Sequence, residues 1–199
     1  LGPDGLRDRP LRLACGQVIG DAPGREVNLS GFLVLPGLVD IHGDAFEKHL
    51  APRRGAMKDL DQGLIATEAE LAANGISTAT LAQFYSWEGG MRGPQFATRV
   101  LSALDEVGPR VGTDILLQLR FEISMLDAYA DMQALIERHS IRYVVFNDHL
   151  PHDALAKGKK PPRLTGQSLR IGKNPDRHFE DMLALHAGMV HVPQALRGL

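Results

Sequence analysis

The sequence has very little cysteine and very little net charge, and each shortage excludes a class of protein. Cys15 is the single cysteine among 199 residues, which excludes the disulfide framework of a small secreted domain. The sequence has 22 Lys and Arg and 24 Asp and Glu, and this near balance of charge also excludes a strongly basic nucleic-acid binder. No apolar run approaches the roughly 20 residues of a membrane span. The opening residues LGPDGLRDRP lack the apolar core of a signal peptide. We therefore expect a cytoplasmic protein with no nucleic-acid partner and no membrane partner.

From residue 36 onward, strand patterns alternate with helix patterns. The predicted strands cover 38–42, 76–84, 113–124 and 141–150, and the predicted helices cover 62–74, 94–108, 126–139 and the stretch that follows 174. A long loop rich in Lys, Pro and Gly is predicted between 156 and 175. This alternation predicts an α/β fold with a parallel sheet. A closed eight-stranded barrel needs about 250 residues, so the alternatives are an open doubly wound sheet and a barrel present only in part.

Residues 11–35 read as short β pieces, LRLACGQVIG and REVNLSGFLVL, separated by a turn. They predict a small separate sheet. We accordingly place a boundary at 35/36, with part of a small β domain before it and the strand–helix units after it.

Each predicted strand ends in polar residues, and in parallel sheets such ends carry the functional groups. His42 and Asp44 lie two residues apart on an extended segment, so their side chains share one face. An imidazole and a carboxylate placed in this way can bind one divalent ion, with Zn²⁺, Mn²⁺ and Fe²⁺ as candidates. A capped turn is the alternative for this pair.

Two later strand ends add candidates of the same chemistry. Glu122 ends an apolar run, where a carboxylate must be paired, protonated or metal-bound, so it is either an ion-pair partner of Arg120 or a metal ligand. Asp148 and His149 supply a general base and a second imidazole, or else a helix cap and a surface histidine. The remaining candidate histidines are expected to be structural; they are His139, His178, His186 and His191. No glycine-rich nucleotide-binding motif is present.

Five segments resemble the amidohydrolase superfamily of metal-dependent hydrolases. They are LPGLVDIHGD, EKHLAPR, ELAANGIST, LRFE and NDHLP. Within the superfamily, the sequence is similar to the alpha-D-ribose 1-methylphosphonate 5-triphosphate diphosphatases of the carbon–phosphorus lyase pathway. Most superfamily members have H-x-H on the first strand, whereas the H-x-D of His42 and Asp44 matches the narrower family.

The resemblance implies a (β/α)8 TIM-like barrel of the metal-dependent hydrolase type, with only its N-terminal half present, and a small β-sandwich appendage. It implies a divalent metal, Zn²⁺ first and Mn²⁺ or Fe²⁺ as options, held by His42, Asp44 and Glu122. Metal-activated water would hydrolyse the 5-triphosphate of a phosphorylated ribose phosphonate and release pyrophosphate.

The same resemblance assigns roles to six further residues. Asp148 and His149 would be catalytic, and the basic segment after the first strand would face the phosphates through Lys48, His49, Arg53 and Arg54. The sequence departs from the family where an Asp-Ala pair is usual, at Ala82 and Gln83, so the substrate contacts are expected to differ.

Two other functions fit the same residues. One is an amidohydrolase that acts on a cyclic amide or an N-acyl C–N bond. The basic segment after the first strand favours a phosphorylated, anionic substrate over such an amide. The other is an inactive half-barrel. Four strands leave an open sheet edge that exposes backbone groups. We therefore expect the isolated 199-residue chain to be inactive and its edge to be covered by a partner, with a homo-oligomer as one form.

Overall fold

The computed structural model describes residues 5–6, 10–15, 17–20, 23–53, 56 and 59–199, and the chain divides into two compact units, 1–38 and 39–199. In the first unit, β1 (Arg12–Ala14) and β2 (Gln17–Ile19) form an antiparallel pair. The second predicted β piece, over 25–35, is wrong: these residues form no strand. They are exposed throughout, so no neighbouring layer stabilises an extended ladder there. No β-sandwich is confirmed.

The second unit is a curled parallel sheet with helices between its strands. The strands are β3 (Leu38–Gly43), β4 (Ile76–Tyr85), β5 (Asp114–Glu122) and β6 (Tyr143–Asn147), in the order β3-β4-β5-β6. The helices are α1 (Glu47–Leu50), α2 (Leu60–Ala73), α3 (Pro94–Val107), α4 (Tyr129–Arg138), α5 (His152–Leu155), α6 (Leu164–Arg170), α7 (Pro175–Gly188) and α8 (Val192–Arg197). The α/β prediction is confirmed, and the sheet is compatible with part of an α/β barrel.

Local sequence signals explain where these helices begin and end. Helix α2 begins after Asp59, whose carboxylate accepts a hydrogen bond from the Gln62 backbone N–H at 3.2 Å. It is followed by Gly75 at φ +74°, the left-handed conformation that glycine adopts easily. Helix α3 begins at Pro94, whose missing N–H costs nothing in the first turn. All helices of the described part of the chain are too short or too polar to traverse a lipid bilayer.

The main core lies between the sheet and helices α2, α3 and α4. Strand β5 contributes Leu117, Leu119 and Phe121 to it, and α3 contributes an apolar stripe that includes Phe96 and Val100. These side chains repeat with period two along the strand and with period three to four along the helix. Their burial fixes which face of β5 is turned away from the helices.

A smaller apolar cluster corrects the predicted loop between 156 and 175. Residues 164–170 are helical, and Leu164 joins Leu150, Leu155 and Met182 in this cluster. The helix was missed because Ser168 is its other buried position, so the segment has no apolar repeat. Helix α7 begins as expected, with the Asn174 side chain accepting hydrogen bonds from two backbone N–H groups.

The packing of α1 against α2 depends on Gly63. A Cβ atom at this position would lie 2.6 Å from Cδ2 of Leu50 and 3.0 Å from the carbonyl oxygen of His49. We expect Gly63→Ala to lower the free energy of unfolding by about 1–3 kcal/mol, because overpacking outweighs the gain in helix propensity. Gly166→Ala in α6 is the matched control, since its Cβ would meet no described atom within 4 Å. It should raise stability by up to about 1 kcal/mol. Urea unfolding measures the stability of both variants. Equal changes in the free energy of unfolding would contradict the close packing of α1 against Gly63.

His178 gives the fold a dependence on pH. Its side chain is buried, and burial lowers its pKa below 6.5, an effect that Lys173 reinforces and that Asp181 and Glu88 oppose. The unfolded chain therefore binds the proton more readily, so stability present above pH 6.5 is lost as the pH falls toward the folded-state pKa. His178→Leu should flatten this dependence, by at most about 1.4 kcal/mol per pH unit. Unfolding curves from pH 5 to pH 8 test it, with exposed His191→Leu as a control that keeps the slope.

Candidate functional site

The candidate site is built on the face of β5 that is turned away from the helices. Residues at every second position share one face of a strand, so Gln118, Arg120 and Glu122 point opposite to the core residues. In the parallel register, Ala82 of β4 lies beside Gln118 and Phe84 lies beside Arg120. Three polar side chains thus follow one another toward the carboxyl end of the strand.

Gln118 holds His42 in a defined orientation. Its side-chain carbonyl oxygen lies 2.7 Å from Nδ1 of His42, while its amide nitrogen donates to the carbonyl oxygen of Ile41 at 3.5 Å. Because the amide nitrogen faces Ile41, the oxygen must accept, so Nδ1 of His42 carries the proton. The other ring nitrogen, Nε2, keeps a free lone pair and has no protein partner in the described part of the chain.

Glu122 holds a second histidine in the same manner. This carboxylate is completely buried, and one oxygen accepts a short hydrogen bond from Nδ1 of His149. The other oxygen accepts from the His149 backbone N–H at 3.0 Å. The carboxylate is therefore paired with His149, whereas the guanidinium of Arg120 stacks on Phe84. The His149 side chain is 40% exposed and, like His42, has its Nδ1 engaged.

Sequence reasoning missed a group of charges around Phe84. The guanidinium carbons of Arg120 and Arg92 lie 3.9 Å and 4.3 Å from its ring centre, which is cation–π distance. Nε of Arg120 is buried and has no hydrogen-bond partner among the described residues. Burial raises the pKa of Glu47. The positive charge of Arg92 opposes this upward shift, and the negative charge of Asp44 reinforces it. The alternation along β5 could have identified Arg120, but only the folded chain brings Arg92 and Glu47 to this group.

Of the predicted phosphate-binding residues, Lys48 and His49 contact an acidic side chain, and one other lies outside the described residues. Lys48 Nζ and His49 Nε2 contact the carboxylate of Glu70 on α2 at 2.6 Å and 2.5 Å, and these hydrogen bonds lower the pKa of Glu70. Arg53 is exposed. Arg54 lies outside the described residues. Lys48 and His49 thus share one carboxylate, and their assignment to phosphates stays a prediction.

Asp148 and His149 are neighbours in sequence but have different partners. Oδ2 of Asp148 lies 2.7 Å from Nε2 of His152, and Nδ1 of His152 lies 2.8 Å from Nδ1 of His186 on α7. Asp44 is exposed directly after β3, and no contact within the described ranges joins it to His42. The structure therefore brings together the pairs His42–Gln118 and Glu122–His149.

The donor types at this sheet end suit a divalent ion. Ligating histidines usually bond their second ring nitrogen to a carboxylate or carbonyl oxygen, which is the arrangement of both His42 and His149. Nitrogen and oxygen donors of this mixture suit Zn²⁺ or Fe²⁺. Among the described residues, no three His, Cys, Asp or Glu side chains converge on a single point. The ligand set His42, Asp44 and Glu122 stays a prediction.

Comparison with known protein families, with curated proteins and with solved structures finds no match for this chain. The resemblance to the amidohydrolase superfamily therefore rests on the quoted segments alone. The function of the chain has to be inferred from its own residues and their contacts.

The tautomer of His42 tests the geometry of the site. Because Gln118 accepts from Nδ1, the folded chain should hold the proton on Nδ1 of His42. Gln118→Leu removes the acceptor, and His42 should revert to the Nε2–H tautomer or to exchange between the two. Side-chain ¹⁵N NMR of histidine distinguishes the forms. Gln133→Leu, at an exposed position of α4, is the matched control and should leave the His42 signals unchanged. An Nε2–H tautomer in the unsubstituted chain would contradict the assignment.

Proposed function

We propose that the second unit is half of a metal-dependent hydrolase barrel, and that the complete barrel hydrolyses the 5-triphosphate of a ribose 1-alkylphosphonate and releases pyrophosphate. The observation that carries this proposal is the pair of histidines held through Nδ1 by Gln118 and Glu122 at one end of the sheet. Both imidazoles have an Nε2 atom without a protein partner within the described part of the chain, so His42 can serve as a metal ligand and His149 as a proton acceptor beside it. The proposed substrate is a small cytoplasmic metabolite.

His42, Asp44 and Glu122 would hold the ion, with His149 beside them. When bound, the ion supplies Lewis-acid activation of water and neutralises charge on the phosphoryl oxygens. His149 accepts a proton at Nε2, and the Glu122 carboxylate stabilises the resulting imidazolium through Nδ1. Asp148 contributes less directly than the sequence suggested, because its carboxylate is engaged by His152.

Arg120 supports an anionic substrate. Its guanidinium stacks on Phe84, two residues along β5 from Glu122, and its buried Nε has a hydrogen to donate. A phosphate oxygen is a suitable acceptor for a guanidinium. Arg92 adds positive charge on the same ring, although Glu88 accepts a 2.7 Å hydrogen bond from it.

Two contacts of Glu70 favour a second candidate, an amidohydrolase that acts on an uncharged cyclic amide or N-acyl group. Lys48 and His49 both contact Glu70, which leaves fewer cations for a triphosphate. Two assays distinguish these functions. One measures pyrophosphate release from ribose triphosphate analogues, and the other measures ring opening of cyclic amides, each with added Zn²⁺ or Mn²⁺. Equilibrium binding of Zn²⁺ and of pyrophosphate to the chain is measured alongside. Turnover of amides without pyrophosphate binding would favour the second candidate. Because the isolated chain is expected to be inactive, missing turnover alone excludes neither function, whereas missing Zn²⁺ binding would exclude both.

Glu122→Gln tests the role of the buried carboxylate. The amide keeps the shape but loses the charge, so Zn²⁺ affinity of the chain should fall by about 10–100-fold and turnover by the complete barrel by about 10²–10⁴-fold. Glu137→Gln is the matched control, because Glu137 is exposed on α4. Thermal unfolding without metal shows whether the variant folds. A folded Glu122→Gln chain with unchanged Zn²⁺ affinity and turnover would remove Glu122 from the site.

A further inference from the structure

We propose that His152 and His186 form a second, separate binding site for a nitrogen-preferring divalent transition ion such as Zn²⁺ or Ni²⁺. The inference does not depend on the proposed hydrolase function. It comes from the short α5 and the long α7, whose histidines meet through their Nδ1 atoms at 2.8 Å. Their ring centres lie 5.0 Å apart.

Asp148 prepares His152 as a ligand. Its carboxylate accepts a hydrogen bond from Nε2 of His152 at 2.7 Å, so this nitrogen carries the proton. The lone pair of His152 is thereby directed through Nδ1 at His186. A carboxylate behind a histidine is the usual arrangement that orients metal-ligating imidazoles and raises their basicity. Asp148 is therefore a positioning residue, not a ligand.

The separation of the nitrogens is close to what an ion needs. Two nitrogen ligands of a tetrahedral Zn²⁺ ion lie about 3.3 Å apart, since each Zn–N bond is about 2.05 Å. The rings would have to separate by about 0.5 Å from their 2.8 Å contact. In the absence of an ion, Nδ1–H of His186 donates a hydrogen bond to Nδ1 of His152.

Water molecules can supply the remaining ligands of the ion. The side chains of His152 and Asp148 are 37% and 28% exposed, so solvent reaches the pair. An ion with two protein ligands and several waters binds less tightly than a closed four-ligand site. Such an ion would link the segment after β6 to α7 and so stabilise the packing between them.

The experiment is thermal unfolding of the 199-residue chain with a chelator and then with excess NiCl₂ or ZnCl₂. At about one hundred times the dissociation constant, the ion should raise Tm by about 5–10 °C. In a His42→Ala background, where the strand-end site does not contribute, His152→Ala and His186→Ala should each abolish the rise, and Asp148→Asn should weaken Ni²⁺ affinity by about 10–100-fold. His191→Ala, an exposed histidine nearby in sequence, should retain the rise.

Two further variants separate ligation from packing and from the proposed hydrolase site. His186→Cys supplies a thiolate ligand and should keep the Tm rise, whereas His186→Ser, of similar size, should lose it. His42→Ala should also retain the rise, which distinguishes this site from the strand-end site even if the latter binds no ion. The proposal is overturned if the unsubstituted chain shows no rise, if His186→Ser keeps it, or if His42→Ala abolishes it.

Discussion

The alternation of side chains along β5 is the constraint on which the site depends. Leu119 and Phe121 are buried against the helices, so Gln118 and Glu122 must occupy the opposite face. Both of these polar side chains are completely buried. A buried polar group without a partner costs about 1–3 kcal/mol, and more if it is charged. The histidines that satisfy Gln118 and Glu122 are therefore part of the stability of the sheet as well as candidates for its chemistry.

The reach of Gln118 to His42 depends on what lies between them. The two residues stand on β5 and β3, and β4 runs between these strands. Strands are spaced about 4.8 Å apart, so Gln118 must extend over the side chain of its β4 neighbour. That neighbour is Ala82, which presents only a methyl group. A larger residue at position 82 would fill the space that the Gln118 side chain occupies.

Much of the fold could be predicted from the sequence because its signals are local. The apolar run before Glu122 predicted a strand, and the residues after 174 predicted a helix, both near the observed positions. The partner of Glu122 could not be obtained in this way. It depends on the register in which Glu122 lies beside Asn147, which brings His149 to the carboxylate. Sequence-local reasoning offered Arg120 as the alternative partner, only two residues away, but the ring of Phe84 holds that guanidinium instead.

The segment directly after β6 connects the strand-end site to the histidine pair of α5 and α7. Asp148 and His149 are consecutive residues that contact different partners. His149 turns to Glu122 at the sheet end, and Asp148 turns to His152 and, through it, to α7. A continuous series of contacts therefore leads from Asp148, the residue before His149, to α7. An ion between His152 and His186 would separate the two rings, and the displacement of His152 would act on Asp148, the residue that precedes His149.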